Sequence, residues 1–196
     1  MAKLDLLIVG KTPAALRCEA KAKELGLDCL RLDAVPERYV AARFFVDATE
    51  DASLGLSRRV FTRNDVELRC ETGEPHAPTA AVAETTPRRI MGDIILSEND
   101  LEAGVRFPDA TPAAGIPLRS LYSCWSGNLF MAGTTISVTA QAQKRLMAMP
   151  GVLEKTGEVV AAAVAVAVRN DVTYHRLIYA NHWNDVKEQF KVRQGD

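Results

Sequence analysis

The sequence predicts an α/β fold: a parallel sheet flanked by helices, with a small antiparallel β element. Three observations carry this expectation. An apolar run at 4–9 ends in Gly10, a capped helical pattern occupies 12–25, and a second short apolar run follows at 28–33. Strand, helix and strand in so short a span make a βαβ unit, whose crossover is expected to be right-handed.

The elements follow in order. Leu4 to Val9 (LDLLIV) is the unbroken apolar run of a buried parallel strand. Thr12 supplies a helix cap and Pro13 suits the first helical position. The helix runs through Ala14, Ala15 and Leu16 to Leu25 and stops at Gly26. A second strand is expected at 28–33 and a third at 43–48 (RFFVDA). The stretch 60–70 holds room for two short strands around Asn64-Asp65, and 71–87, rich in Gly, Pro, Thr and Ala, reads as a surface loop. Another strand is expected at 88–96. Ser97-Glu98-Asn99-Asp100 then starts a short helix with a capping-box pattern. The proline-rich stretch 109–117 is irregular. Strands are expected at 118–122 and 128–132, joined by a turn at Ser126-Gly127. Helices are expected at 138–147, 154–169 and 173–191. The middle helix is apolar nearly all round and belongs in the core. The last turns Leu177, Ile178 and Val186 inward. No internal repeat or low-complexity linker interrupts the chain. It reads as one unit: 1–58 and 110–170 form the core, 59–109 a reduced insertion, and 171–196 a C-terminal helix.

Composition narrows the function classes. The 196 residues carry 24 Lys+Arg against 25 Asp+Glu, a net charge of −1, and are 47% hydrophobic. That is globular composition, with enough apolar surface for a core. Balanced charge argues against a dedicated nucleic-acid binder and against attraction to an acidic membrane. The longest apolar run, Val159 to Val168, is ten residues, too short for a bilayer. No signal peptide is evident at the start. Cys18, Cys29, Cys70 and Cys124 are scattered without a CxxC, which reads as reduced thiols in a cytoplasmic protein. His76, His175 and His182 show no metal-ligand spacing and read as surface residues. Lys144-Arg145 reads as a solvated helix face, and Tyr122, Cys124 and Trp125 as a partly buried turn. No Ser-His-Asp or Cys-His arrangement can be argued, so no catalytic residue is named.

The start of the chain carries the clearest chemistry. A strand ending in glycine, then a helix N-terminus, then an acid at the end of the next strand is the dinucleotide-binding arrangement. Helix amides and the helix dipole hold a pyrophosphate, and glycines let the backbone approach it. Asp33 lies 23 residues after Gly10, where a ribose-binding acid belongs. The fingerprint G-x-G-x-x-G reads Gly10-Lys11-Thr12-Pro13-Ala14-Ala15, with one glycine kept. Thr12 puts a Cβ where the pyrophosphate approaches. On these residues alone, a βαβ unit with a dinucleotide and one without it are both open. Gly10 is equally a plain turn, and Asp33 equally a solvated strand end.

Four later segments carry a family resemblance. Gly115-Ile116-Pro117-Leu118-Arg119-Ser120-Leu121-Tyr122, followed by Asn128-Leu129-Phe130-Met131-Ala132-Gly133-Thr134-Thr135-Ile136-Ser137, resembles the C-terminal signature of bacterial FAD-dependent oxidoreductases. Thr156-Gly157-Glu158-Val159-Val160-Ala161 resembles their following helix. Val46-Asp47-Ala48-Thr49-Glu50-Asp51 resembles their "DATGDG" strand end, and Arg88-Arg89-Ile90-Met91-Gly92 with Phe107-Pro108-Asp109-Ala110 their "RRIxG…RFPDA" segment. The resemblance covers the N-terminal unit and most of 43–170. It implies a Rossmann-like FAD domain. Gly10, Thr12, Pro13 and Ala15 would form the pyrophosphate loop and Asp33 would hold the ribose. Gly133 and Thr134 would lie beside the flavin, and the helix start near Gly157 would face its ring. Gly157 reads equally as a close-packing glycine.

Two departures qualify what the resemblance implies. Asp33 and Asp47 are fourteen residues apart, where the family has a long substrate-covering segment. Family glycines beside the cofactor are replaced at Thr12, Ala15, Glu50, Ala52 and Ala161, and the family arginine after "AG" is Thr134. Each added side chain competes with the ligand for volume, so the flavin pocket is expected to be partly closed. Two functions therefore stand side by side. One is a minimal FAD-binding oxidoreductase-like unit that needs a partner or a second copy for redox activity. The other is a non-catalytic relative acting as a structural or regulatory subunit without flavin. An exposed sheet edge points in both cases to a homo-oligomer or a hetero-complex.

Overall fold

The computed structural model describes residues 4–38, 40–58, 62–63 and 87–190. Of the stretch 60–70, expected to hold two short strands, only 62–63 is described; the loop expected over 71–87 up to residue 86, with Cys70 and His76, lies outside these residues. The first strand, β1 (Leu4–Val9), lies inside a parallel sheet. Leu6, Leu7, Ile8 and Val9 are all buried, so both of its faces are covered. That is why its apolar run is continuous rather than alternating. Thr12 then caps α1 (Pro13–Glu24), with Pro13 in the first turn. After Gly26 the chain forms β2 (Cys29–Leu32), parallel to β1 with Leu6 opposite Cys29. It next crosses β1 and enters β3 (Ala42–Asp47), parallel on the other side. The short β6 (Leu129–Met131) completes the order β2-β1-β3-β6, with every neighbour parallel.

Between β3 and β6 the chain is less regular. A one-turn helix, α2 (Ser53–Ser57), leads to β4 (Thr62–Arg63), which pairs antiparallel with β5 (Arg89–Ile90). The strand expected at 88–96 is thus two residues long. It breaks at Gly92, where a Cβ would lie 2.6 Å from the Arg119 carbonyl oxygen and 2.9 Å from that of Tyr122. Two isolated bridges replace it, Gly92 to Ser123 and Leu96 to Val138. Ser97 and Asp100 form the expected capping box on α3 (Glu98–Glu102). The strand expected at 118–122 is a 3₁₀ turn, Leu118–Ser120, followed by a single bridge from Tyr122 to Phe130. Asp109 explains the change. Its carbonyl accepts from Leu118 N at 3.0 Å and its carboxylate from Arg119 N at 2.9 Å, so these amides are taken from any ladder. Only the end of the segment reaches the sheet, where Ser123 N donates to Leu129 O and Met131 N to Leu121 O.

The helices follow the expected pattern with shifted ends: α4 (Ala140–Met147) capped by Thr139, α5 (Val152–Arg169) and α6 (His175–Glu188). From Thr156 to Ala167, α5 is buried at every position except Glu158. It packs against α1 through small residues. A Cβ on Gly157 would lie 2.1 Å from Ala14 O and 3.1 Å from Cys18 N, so only glycine allows this approach. On α6 the buried stripe is His175, Ile178, Trp183 and Val186. Leu177 lies off it and is 42% exposed, contrary to the inward position expected. Residues 3, 8 and 11 positions after His175 share its face at the helical period, whereas Leu177 points roughly opposite. His175 is buried at 1% exposure, a correction to its surface reading; Ile178 and Val186 are buried as expected. Among the described residues, no helix is long and apolar enough to cross a membrane.

Candidate functional site

The carboxyl ends of β1, β2 and β3 meet at Gly10. Gly10 N donates to Leu32 O at 2.8 Å, and Ala48 N donates to Val9 O at 2.8 Å. Gly10 has φ +138°, and a Cβ there would lie 2.1 Å from Ala48 O. Its glycine identity is therefore explained by contact with the end of β3.

Thr12 stands over this junction. Its hydroxyl donates to Ala48 O at 2.9 Å and accepts from Ala15 N at 3.3 Å. One side chain thus caps α1 and ties its first turn to β3. Pro13 is exposed and Ala15 is buried beneath the cap. Gly133, at φ +74°, faces the same point, since a Cβ there would lie 3.1 Å from Ala14 Cβ and 3.8 Å from Thr12 Oγ1. Its amide donates to Thr156 Oγ1 at 2.9 Å. Thr134 follows with its carbonyl accepting from Gln143 Nε2 at 2.6 Å and its own Oγ1 buried without a hydrogen-bond partner. Gln143 in turn accepts from the buried Arg89 at 2.9 Å.

The structure brings Gly10, Thr12, Pro13, Ala15, Gly133, Thr134 and Gly157 around the first turn of α1. Two details differ from expectation. Gly157 lies inside α5 rather than at its start, and its bare face is filled by the backbone of α1. Asp33 sits at the end of β2 with its side chain 71% exposed and is paired to Arg31. Arg31 also donates to Gly10 O at 3.0 Å and to Glu19 at 2.8 Å. Sequence reasoning passed over Arg31, although it stands two residues from Asp33 on the same strand face.

Asp47 was also passed over as a site residue. Fully buried at the end of β3, it accepts from Thr49 N at 3.0 Å, Thr49 Oγ1 at 2.7 Å and Gly55 N at 2.8 Å. Burial pushes its carboxyl above the usual range, and these donors pull partly against that. Asp47 O also accepts from Ala132 N at 3.0 Å and from Thr135 Oγ1 at 2.8 Å, tying β3 to the turn after β6. The segments of the family resemblance hold one another too. Asp109 of the "RFPDA" stretch makes a bidentate pair with Arg119 of the following stretch, at 3.0 and 3.1 Å.

A nucleophile is not prepared among the described thiols. Burial is the leading cause of a raised pKa at Cys18, Cys29 and Cys124, which keeps each protonated. Two contacts at the cleft bear on dinucleotide binding. Thr12 already occupies the helix amide that a pyrophosphate oxygen would accept from, and the ribose-binding candidate Asp33 is engaged by Arg31. Compared with models of protein families, with curated proteins and with solved structures, the chain has no match.

Proposed function

We propose that this chain is a Rossmann-like relative of the FAD-dependent oxidoreductases that works without bound flavin, as a structural or regulatory subunit. The observation that carries the reading is the double engagement of the Thr12 hydroxyl, with Ala48 O on one side and Ala15 N on the other. A phosphate at this helix start would have to displace that hydroxyl and forfeit a cap of about 1 kcal/mol. Ala52 supports the reading. It holds φ 56°, a left-handed conformation that suits glycine, where the resembling family keeps glycine.

The second reading, a minimal flavin-binding oxidoreductase unit, draws on Thr134 Oγ1, a buried hydroxyl without a partner beside Gly133. If FAD is held here, it supplies the redox chemistry, while Thr134 and the Gly133 turn orient it. Under both readings the chain acts in the cytoplasm with a second copy or another subunit. The outer side of β2 supports this, since it pairs with no strand among the described residues.

FAD titration followed by visible absorption separates the two readings. The expected result is no bound-flavin band for the wild type. The double variant Thr12→Gly/Glu50→Gly should gain affinity if obstruction is the cause. A stoichiometric flavin band in the wild type would overturn the first reading and establish the second.

A further inference from the structure

His175 lies away from the cleft, and neither reading uses it. It is the first residue of α6 and is almost fully buried. Its ring stacks on Tyr122 with centroids 4.1 Å apart and planes 17° from parallel, and meets Phe130 edge-on at 5.8 Å. Nε2 lies 2.6 Å from the carbonyl oxygen of Ser126. A carbonyl only accepts, so Nε2 carries the proton of the neutral ring. Nδ1 is buried without a hydrogen-bond partner. The backbone joins in, with His175 N donating to Gly127 O at 2.9 Å. This one residue therefore pins the start of α6 to the segment bridged to β6.

A second proton has nowhere favourable to go. On Nδ1 it would create a buried N–H that no acceptor meets in good geometry, and the pull of Asp93 and the Ser123 backbone toward the charged ring is outweighed by burial. It would also place a positive charge in the first turn of a helix, which the macrodipole disfavours. Arg176, the next residue, adds like charge. The facing acid is Asp93, already engaged by Arg176 at 3.0 Å and by the Tyr122 hydroxyl at 3.0 Å. Arg176 also donates to Cys124 O at 2.5 Å. Tyr122 and Cys124 are both pushed up by burial and stay neutral. Asp171, in the α5–α6 connection, is taken by Arg43 at 2.9 Å. Phe130 contributes no charge.

We propose that His175 is an acid-sensitive latch, whose protonation releases the start of α6 from the 122–130 segment and loosens its packing on α5 while the sheet stays folded. Burial lowers the ring's pKa to about 4 from an ordinary 6.5. The docked helix therefore binds fewer protons than the released one between these values. Docking is at full strength above 6.5 and weakens as pH falls toward 4. From those two pKa values, the ratio of released to docked helix rises about 20-fold between neutral pH and pH 5. Release would uncover Tyr122, Phe130, Ile178, Trp183 and Val186, an apolar surface closed at neutral pH.

Hydrogen exchange on the full chain tests this, with α6 amides compared with those of β1 and β3 from pH 7 to 4.5 after correction for intrinsic rates. The expected result is a loss of α6 protection of about 20-fold by pH 5, with the sheet unchanged. His175→Phe keeps an aromatic ring in the stack but cannot take a proton, so its α6 protection should be flat across this range. Equal loss in sheet and helix, or the same loss in His175→Phe, overturns the latch. Should that variant fail to fold, the wild-type ring signal decides the matter by NMR. Titration below pH 5 together with selective loss of α6 protection supports the latch; titration near 6.5 with α6 still protected overturns it.

Discussion

Two regions of this molecule are held together in opposite ways. Where α1, α5 and the β1 end converge, the contacts are made by the smallest residues. Gly10, Ala14, Gly133 and Gly157 let backbone meet backbone, with room for no added carbon at Gly10 or Gly157. Where the segment 91–123 wraps the edge of the sheet, large polar groups make the contacts. Asp109 clamps Arg119, the Tyr122 hydroxyl donates to Asp93, and Ser120 Oγ donates to Ile94 O at 3.1 Å. The first region cannot tolerate growth. The second cannot tolerate loss of a partner, because what remains is a buried group without compensation.

The largest effect is expected in the polar region. Arg119→Met strands the Asp109 carboxylate, which is fully buried while Arg119 reaches it from the half-buried rim. A loss of about 4 kcal/mol is expected by urea denaturation, the scale for breaking a buried pair. A cost under about 1 kcal/mol would show that the clamp is solvated like a surface pair. Tyr179, whose ring lies 4.7 Å from the Arg119 guanidinium, should lose its ordered contact in the same variant.

Gly157→Ala comes next and tests the small-residue region. The new Cβ meets a backbone carbonyl that cannot rotate away, so α1 and α5 must separate. About 2–3 kcal/mol of destabilisation is expected from such overpacking. If thermal denaturation registers no change, the two helices do not approach as closely as described.

The smallest effect has the opposite sign. Ala52→Gly relieves a left-handed alanine, a strain of about 1–2 kcal/mol, and gives up one buried methyl worth about 0.8 kcal/mol. The expected balance is a gain of roughly 0.5 kcal/mol. A destabilised variant would mean that packing, not conformation, governs that position.

The same contrast explains what was legible in the sequence. The small-residue region follows local rules: an apolar run for β1, a Thr-Pro cap for α1, an apolar helix for α5. Each depends on residues adjacent in the chain. The polar region resists such reading because its partners are far apart. Residues 118–122 have the composition of a strand, yet Asp109, ten residues away from Arg119, takes their amides. His175 looked like a surface residue in a polar helix until Tyr122, more than fifty positions earlier, was seen stacked on it. The residues named at the α1 start are near one another in the chain or joined by one helix contact, whereas Arg31 is not legible there because its reach to Gly10 O spans a strand and a turn.

The sequence by itself determined the parallel α/β core, since hydrophobic period, caps and glycine stops act over one or two helical turns. Only the tertiary structure decided which groups are already satisfied. Thr12 is read as a helix cap and an obstructing side chain from the sequence, but its second hydrogen bond exists only because β3 brings Ala48 O beside it. His175 is a titratable ring in any fold, but its two nitrogens differ only because Ser126 O faces one and the other is buried without a hydrogen-bond partner. Burial and partnering are set by residues distant in the chain, and they determine what each side chain can do.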